Sequence, residues 1–290
     1  MPTAVLAFDF DPLLRIGDSV VRWETVGIAA AVFAAIVVAG IGAMRRDLRV
    51  DDLLFVILGI VPGAVVGGRL GYVLLHAEFF AADPARILDP GVGSLELTLA
   101  VVGGALTGSL VAVLLDGRPG PWLQLAALPT LLVLASGKLA TVLGGTGQGV
   151  PTSAEPATAY LGAGPWGSLG PSIPAVPSQA LEGVAAGGVL LVVLLLSVVP
   201  MLRRPDGRLF AIAVGGWALV RLVVASTWRD PVVAGLFRAE QVIAAIVAVG
   251  ALAIATALIV GNRGRTFEPS PPLAPGARRE AERRDEIEPG

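Results

Sequence analysis

Three basic side chains stand inside long apolar stretches of this 290-residue chain: Arg69, Lys138 and Arg221. A charge near the centre of a bilayer costs at least about 2.5–3.5 kcal/mol on insertion scales, so such residues face a protein interior or a cavity and have partners. The clear acid within a stretch is Glu182, with Gln179 one turn before it, while Glu96 lies nearer the end of a stretch. Three cations against one acid leave an excess of positive charge, and that excess calls for an anionic ligand. Arginine suits a phosphate because its planar fork donates two parallel hydrogen bonds. Within a membrane the natural source of phosphate is the headgroup of an anionic phospholipid. The plainer reading is that each long basic side chain snorkels to the interface or pairs structurally.

The elements that must position these groups are membrane helices. The chain is 54% hydrophobic with a mean hydropathy of +0.77, and 15% of its residues are charged. A soluble domain carries roughly 25% charged residues. The apolar residues sit in blocks, and about 20 in a row cross a bilayer core as a helix. Blocks such as Leu190–Val199 lack the alternation of an outer-membrane barrel. The pattern predicts an all-α polytopic membrane protein with seven transmembrane helices: Val26–Met44, Leu53–Leu75, Leu97–Leu115, Leu123–Leu143, Leu181–Met201, Leu209–Ser226 and Gln241–Val260.

Orientation follows from the basic residues of the connections. One set holds Arg45, Arg46, Arg49, Arg118, Arg203, Arg204, Arg208, Arg263 and Arg265; the other holds Arg15, Arg22, Arg86, Arg229 and Arg238. The first set is expected to be cytoplasmic, with the N-terminus outside and the C-terminus inside. Arg69, Lys138 and Arg221 then lie toward the outer ends of their spans, level with Gln179 and Glu182. Residues 1–263 read as the membrane domain. Its Gly- and Pro-rich segment 144–178 is an extracytoplasmic loop, with Tyr160 and Trp166 as interface anchors. Residues 264–290, charged and proline-rich, read as a disordered cytoplasmic tail. The start lacks the pattern of a cleavable signal peptide, because acids precede a full-length span.

Composition also excludes chemistry. The chain has no cysteine, hence no disulfide, thiolate metal site or cysteine nucleophile. It has one histidine, His76, so a multi-histidine metal site is excluded, and a net charge of −2 offers nothing to nucleic acid.

Several segments resemble one family. Gly67-Gly68-Arg69-Leu70-Gly71-Tyr72-Val73 is similar to the G-G/A-R-L/I-G-Y-V segment of the prolipoprotein diacylglyceryl transferases, and Ala82-Asp83-Pro84 follows at the family's spacing. Val176-Pro177-Ser178-Gln179-Ala180-Leu181-Glu182 resembles H-P-S-Q-L-Y-E. Arg221 matches an arginine in the sixth span, Glu240-Gln241 the G-Q opening the last, and Phe10-Asp11-Pro12 with Ile16-Gly17 the N-terminal pattern. The resemblance covers residues 8–260 and implies a seven-span bacterial cell-membrane enzyme. Such an enzyme moves diacylglyceryl from phosphatidylglycerol to the cysteine thiol of a lipoprotein precursor, without metal or organic cofactor. It implies catalytic roles for Lys138, Arg221 and Glu182. It also implies substrate binding by Arg69, Gly68, Tyr72, Gly103, Gly104, Ser178, Gln179 and Gln241.

The chain departs from that pattern at chemically weighty positions. Val102-Gly103-Gly104 stands where the family has H-G-G, and valine moves no proton. Lys138 replaces an arginine and loses its fork. The asparagines and glutamate of the family's fourth span are absent from 137–146, Leu181 replaces a tyrosine, Val176 a histidine and Ala225 a glutamate. His76, Glu96 and Glu182 are the remaining titratable groups at the right depth for a base. Two other readings therefore stand beside the transferase: a non-catalytic relative that binds anionic phospholipid or lipoprotein precursor, and a small-solute transporter.

Overall fold

The computed structural model describes residues 5–261 except 90, 116, 163, 171 and 231. The expected tail, 264–290, lies outside the described residues. Seven helices are long and apolar enough to cross a membrane. They are α1 (Trp23–Met44), α2 (Val50–Leu75), α4 (Leu97–Leu114), α5 (Pro119–Thr141), α6 (Ser178–Leu196), α7 (Arg208–Val224) and α8 (Ala239–Gly261), with a short α3 (Ala77–Ala82) after α2. The spans match those read from the sequence to within a few residues. α5 starts earlier, at Pro119, because a proline at the first helical position gives up only a donor that would be unpaired there. α6 starts at Ser178, so the Ser-Gln-Ala-Leu-Glu segment forms its opening turns.

Small side chains set the packing. α1 buries Ala31, Ala35, Ala39 and Ala43, one per turn, and packs on α5. The α2–α4 contact is made of backbone. A Cβ added to Gly63 or Gly103 would overlap the carbonyl of the other, and Gly67 lies against Leu99 in the same way. Lipid is as apolar as these helices, so close van der Waals contact between such faces, and not hydrophobicity, holds them together. α7 is the central helix: Leu209, Ala213 and Trp217 join Leu131, Leu134 and Ala135 of α5 and Val193 of α6 in the main core.

The two ends of the bundle differ. At one end the connections are short: 45–49, 115–118 and 197–207. Gln124 ties two of these elements, its amide donating to the Leu202 carbonyl at 2.7 Å and its oxygen accepting from Leu209 N at 3.2 Å. At the other end lie α3 and the six strands found among the described residues. β1 (Val5–Phe8) pairs in parallel with β4 (Ala157–Tyr160); β2 (Leu13–Ile16) and β3 (Ser19–Arg22) form a hairpin; β5 (Val232–Ala234) pairs with β6 (Phe237–Arg238). The 144–178 segment is therefore ordered around β4. Tyr160 is not an interface anchor: it is fully buried, stacks on Phe8, and donates its hydroxyl to the Val142 carbonyl at 2.8 Å. Burial pushes its phenol up to about 12, so the donor stays protonated. Trp166 packs on Tyr160 and donates to the Gly162 carbonyl, tying the loop to itself.

Candidate functional site

Arg221 is the hub of the buried polar groups, 2% exposed on α7. Its Nη1 donates to Glu182 Oε1 of α6 at 2.6 Å, and its Nε and Nη2 reach Glu240 Oε1 of α8 at 3.1 and 2.5 Å. Nη2 also lies 3.4 Å from Glu96 Oε1 at the start of α4. The guanidinium sits against the faces of Trp228, 4.6 Å to the ring centroid, and Trp217, at 5.2 Å. Lys138 of α5 closes the network, with Nζ 2.9 Å from Glu182 Oε2 and 5.2 Å from the centre of the Trp228 ring. Thr98 donates its hydroxyl to Glu240 Oε1 at 2.9 Å. Five spans converge on one ion cluster.

Local structure explains the convergence. Glu96 is the N-cap of α4, its carboxylate accepting from Thr98 N and, at 2.6 Å, from Leu99 N. It fits because α2 presents glycines there. Glu96 N donates to the Gly68 carbonyl at 2.8 Å, and a Cβ on Gly71 would come within 2.7 Å of the Glu96 carboxylate. Glu240 stands in the first turn of α8, and Gln241 beside it fixes that turn. The Gln241 oxygen accepts from Arg238 N at 2.9 Å and its amide donates to the Leu222 carbonyl at 3.0 Å.

This geometry corrects the charge balance expected from sequence. The cluster holds two cations and three carboxylates, a surplus of negative charge if all are ionised, so it leaves no unpaired positive charge. Glu96 reads from the sequence as an acid near the end of its stretch and Glu240 as part of the opening of the last span, yet the fold brings both to Arg221. Arg69 is not in the cluster. Its guanidinium donates to four backbone carbonyls, those of Ile87, Val92, Arg86 and Asp89, at 2.6 to 3.0 Å, and so clamps the turn between α3 and α4.

The remaining candidates surround the cluster. Tyr72 lies under the Arg69 guanidinium, 5.8 Å to the ring centre, and against Gly93. Gln179 is buried, its amide donating to the Tyr160 hydroxyl at 3.3 Å and its oxygen without a partner. Ser178 shares a 2.6 Å hydrogen bond with Thr227. Gly103 serves the α2–α4 contact, and Gly104 faces Ile60. Glu240, Thr98 and Trp228 are site residues that sequence reading missed. The available signal was Glu240 itself, an acid opening an apolar span beside the matched Gln241.

Below the cluster, toward the short-connection end, lies an apolar cavity of about 370 Å³ between α1, α2, α4 and α5. Ala35, Ile57, Ile60 and Gly104 line it. It extends along α5 from Trp122 to Leu134, about 18 Å at 1.5 Å per residue. Its upper end reaches Leu97, next to Glu96, and Leu134, one turn before Lys138.

A bundle of seven membrane helices with a buried ion cluster and an apolar cavity near it suits a protein that handles an amphiphile within the bilayer. The sequence matches the family described as prolipoprotein diacylglyceryl transferase over residues 12–257, and the chain belongs to that family. Similar proteins carry the name phosphatidylglycerol–prolipoprotein diacylglyceryl transferase. One from Paraburkholderia phytofirmans is 31% identical, over 74% of this chain and 81% of the relative. One from Geobacter sulfurreducens is 29% identical, over 76% of this chain and 83% of the relative. The match to a Streptococcus agalactiae protein, 28% identical, spans 43% of this chain and about half, 49%, of that relative.

Proposed function

We propose that the chain transfers the diacylglyceryl group of phosphatidylglycerol to the cysteine thiol of a lipoprotein precursor. The observation that carries this reading is the buried ion cluster on which five spans converge, with an apolar cavity whose lining reaches Leu97, the residue after Glu96. The cavity offers an apolar slot for acyl chains, and the cluster offers charged groups at headgroup depth near its upper end. The bundle stands in the bacterial cell membrane with the strand-bearing end outside and the Arg-rich short connections in the cytoplasm.

The residues divide the work. Lys138, with 22% of its side chain exposed, is the cluster cation open to a phosphate. It steadies the charge that develops as glycerol phosphate departs. Arg221 and Glu182 hold the ammonium in place and set the field around it. Gly104 lines the cavity that takes the lipid, and Gly103 holds α4 against α2 beside it. Arg69, Gly68 and Tyr72 shape the turn over the headgroup, while Ser178, Gln179 and Gln241 fix the starts of α6 and α8 around it. No metal or organic cofactor takes part, and the lone thiol comes from the substrate.

The test is transfer by the purified protein in liposomes containing phosphatidylglycerol, with a cysteine peptide as acceptor. A thioether product that is lost in Lys138→Ala supports the transferase. If no product forms while phosphatidylglycerol binds better than phosphatidylcholine, the chain is a lipid-binding relative without catalysis. If neither is seen, the reading of the cluster and cavity fails.

A further inference from the structure

The apolar cavity has a floor, and what that floor does to a lipid rests on the transferase reading above. Leu97 of α4 and Leu134 of α5 line the cavity toward the ion cluster, while Leu53 of α2, Ser109 of α4 and Trp122 of α5 line it toward the short connections. Ser109 lies twelve positions after Leu97, and Leu134 twelve positions after Trp122, so either helix gives a depth of about 18 Å at 1.5 Å per residue. One leaflet of hydrocarbon is about 15 Å deep, half of the roughly 30 Å of a bilayer core. The cavity is therefore about one acyl chain long. Its lining has no charged side chain among the described residues, so a headgroup finds no partner inside it, whereas a hydrocarbon chain needs none.

Trp122 has the largest side chain at the lower end, and it is held from beneath. It is buried in a cluster with Ala43 of α1, Leu53 of α2, Ala112 of α4 and Leu125 of α5. Ala43 and Ala112 are fully buried, so the helices meet there without a gap. The connection after α4 lies against the indole. A Cβ on Gly117 would stand 3.4 Å from Trp122 Nε1, and Gly117 N donates to the Ala112 carbonyl at 2.9 Å. The ring cannot swing toward the cytoplasm without moving that turn.

We infer that Trp122 is the stop of the acyl site and sets the longest acyl chain of phosphatidylglycerol that the protein accepts. A chain in the cavity has its ester end toward the cluster and its methyl end toward the indole. A chain too long for the slot must kink, or push into space already filled by Trp122, Leu53 and Ala112, and a closely packed interior resists such insertion. Because diacylglyceryl passes whole from donor to acceptor, the same stop limits the tails that anchor the finished lipoprotein.

The test is an internal competition. Wild type, Trp122→Leu and Ser109→Phe are given a cysteine peptide in liposomes holding an equimolar series of phosphatidylglycerols of graded acyl length. Mass spectrometry then reads the chain lengths of the thioether products against those of the donors. Wild-type product should fall off above one chain length, by about tenfold or more, the lower bound for a misfit of one methylene in an apolar pocket. Trp122→Leu opens the floor and should move this cutoff to longer chains. Ser109→Phe adds a ring at the same depth from α4 and should move it to shorter ones. The two shifts are opposite in sign, and either one decides if the other variant does not fold. The lipids that each purified protein retains from the same series should show the same cutoffs, a readout that needs no catalysis. Thioether of every chain length in proportion to the donors, or a cutoff that stays put in the variants, overturns the stop and leaves the transferase standing. A retained-lipid cutoff that moves in the variants, with no thioether from wild type, overturns the transferase and leaves the stop.

Discussion

At the residue scale, the consequence of the ion cluster is that its members are interdependent. Removing Arg221 leaves three buried carboxylates without their common partner, and breaking a buried pair from one side costs about 3–5 kcal/mol. Arg221→Leu should therefore lower the thermal midpoint in detergent steeply, whereas Arg221→Lys, which keeps charge but not the fork, should lose less. Equal midpoints for all three proteins would show that the guanidinium is not structural. Lys138→Met and Glu182→Gln should be non-additive, with a coupling of about 0.5–3 kcal/mol in a double-mutant cycle. Their 2.9 Å contact should make each change cheaper once the other is made. Arg69, Lys138, Arg221 and Glu182 were all legible in the sequence as charges that lipid would not tolerate alone. Their pairing was not. Glu96 and Glu240 sit where helices begin, and a linear sequence does not say that two helix starts and the last turn of a third helix come into contact. Ala225 is informative in the same way. The family's glutamate there is missing, yet Glu240 supplies a carboxylate to Arg221 from a different helix.

At the element scale, the span pattern was readable because lipid imposes one requirement on every backbone that crosses it. Hydropathy placed all seven helices, and the differences are at caps, where proline and the Ser-Gln opening of α6 shift the start. The strands were not readable. They run for two to four residues, and β1 takes its partner, β4, from a distant segment. Two elements invite direct tests. The turn between α3 and α4 has its carbonyls gathered on one guanidinium, so Arg69→Lys should expose it to limited proteolysis with little change in overall helicity. An unchanged cleavage pattern would mean the clamp is dispensable. At Gly63 an added side chain would meet the Gly103 backbone, which cannot yield, so Gly63→Val should break the α2–α4 pair and drive the protein into aggregates on size exclusion, while Gly40→Val, which meets open space, should not.

At the scale of the whole molecule, the absence of cysteine makes orientation simple to measure. A single Ser153→Cys should react with a membrane-impermeant maleimide in intact cells, and a single Arg45→Cys only after lysis; the reverse pattern would invert the proposed topology. The concentration of strands and irregular segments at one end is itself a fold-level result, since loop composition alone indicates neither order nor burial. Helix pairing also gives the bundle its mechanics. α2 and α4 are fused to each other by their glycines along much of their length, α1 is packed on α5, and contact across the line between these two pairs is sparse. The apolar cavity lies on that line. At its upper end the two sides are joined by Glu96 and Thr98 of α4 reaching Arg221 and Glu240, a strong fastening at a single point. The two pairs are thus fastened at both ends of the cavity: by the buried cluster of Ala43, Leu53, Ala112 and Trp122 toward the short connections, and by ions at the other. A chain lodged between the stiff pairs would lie between these two fastenings, and only the ionic one separates that space from the strand-bearing end.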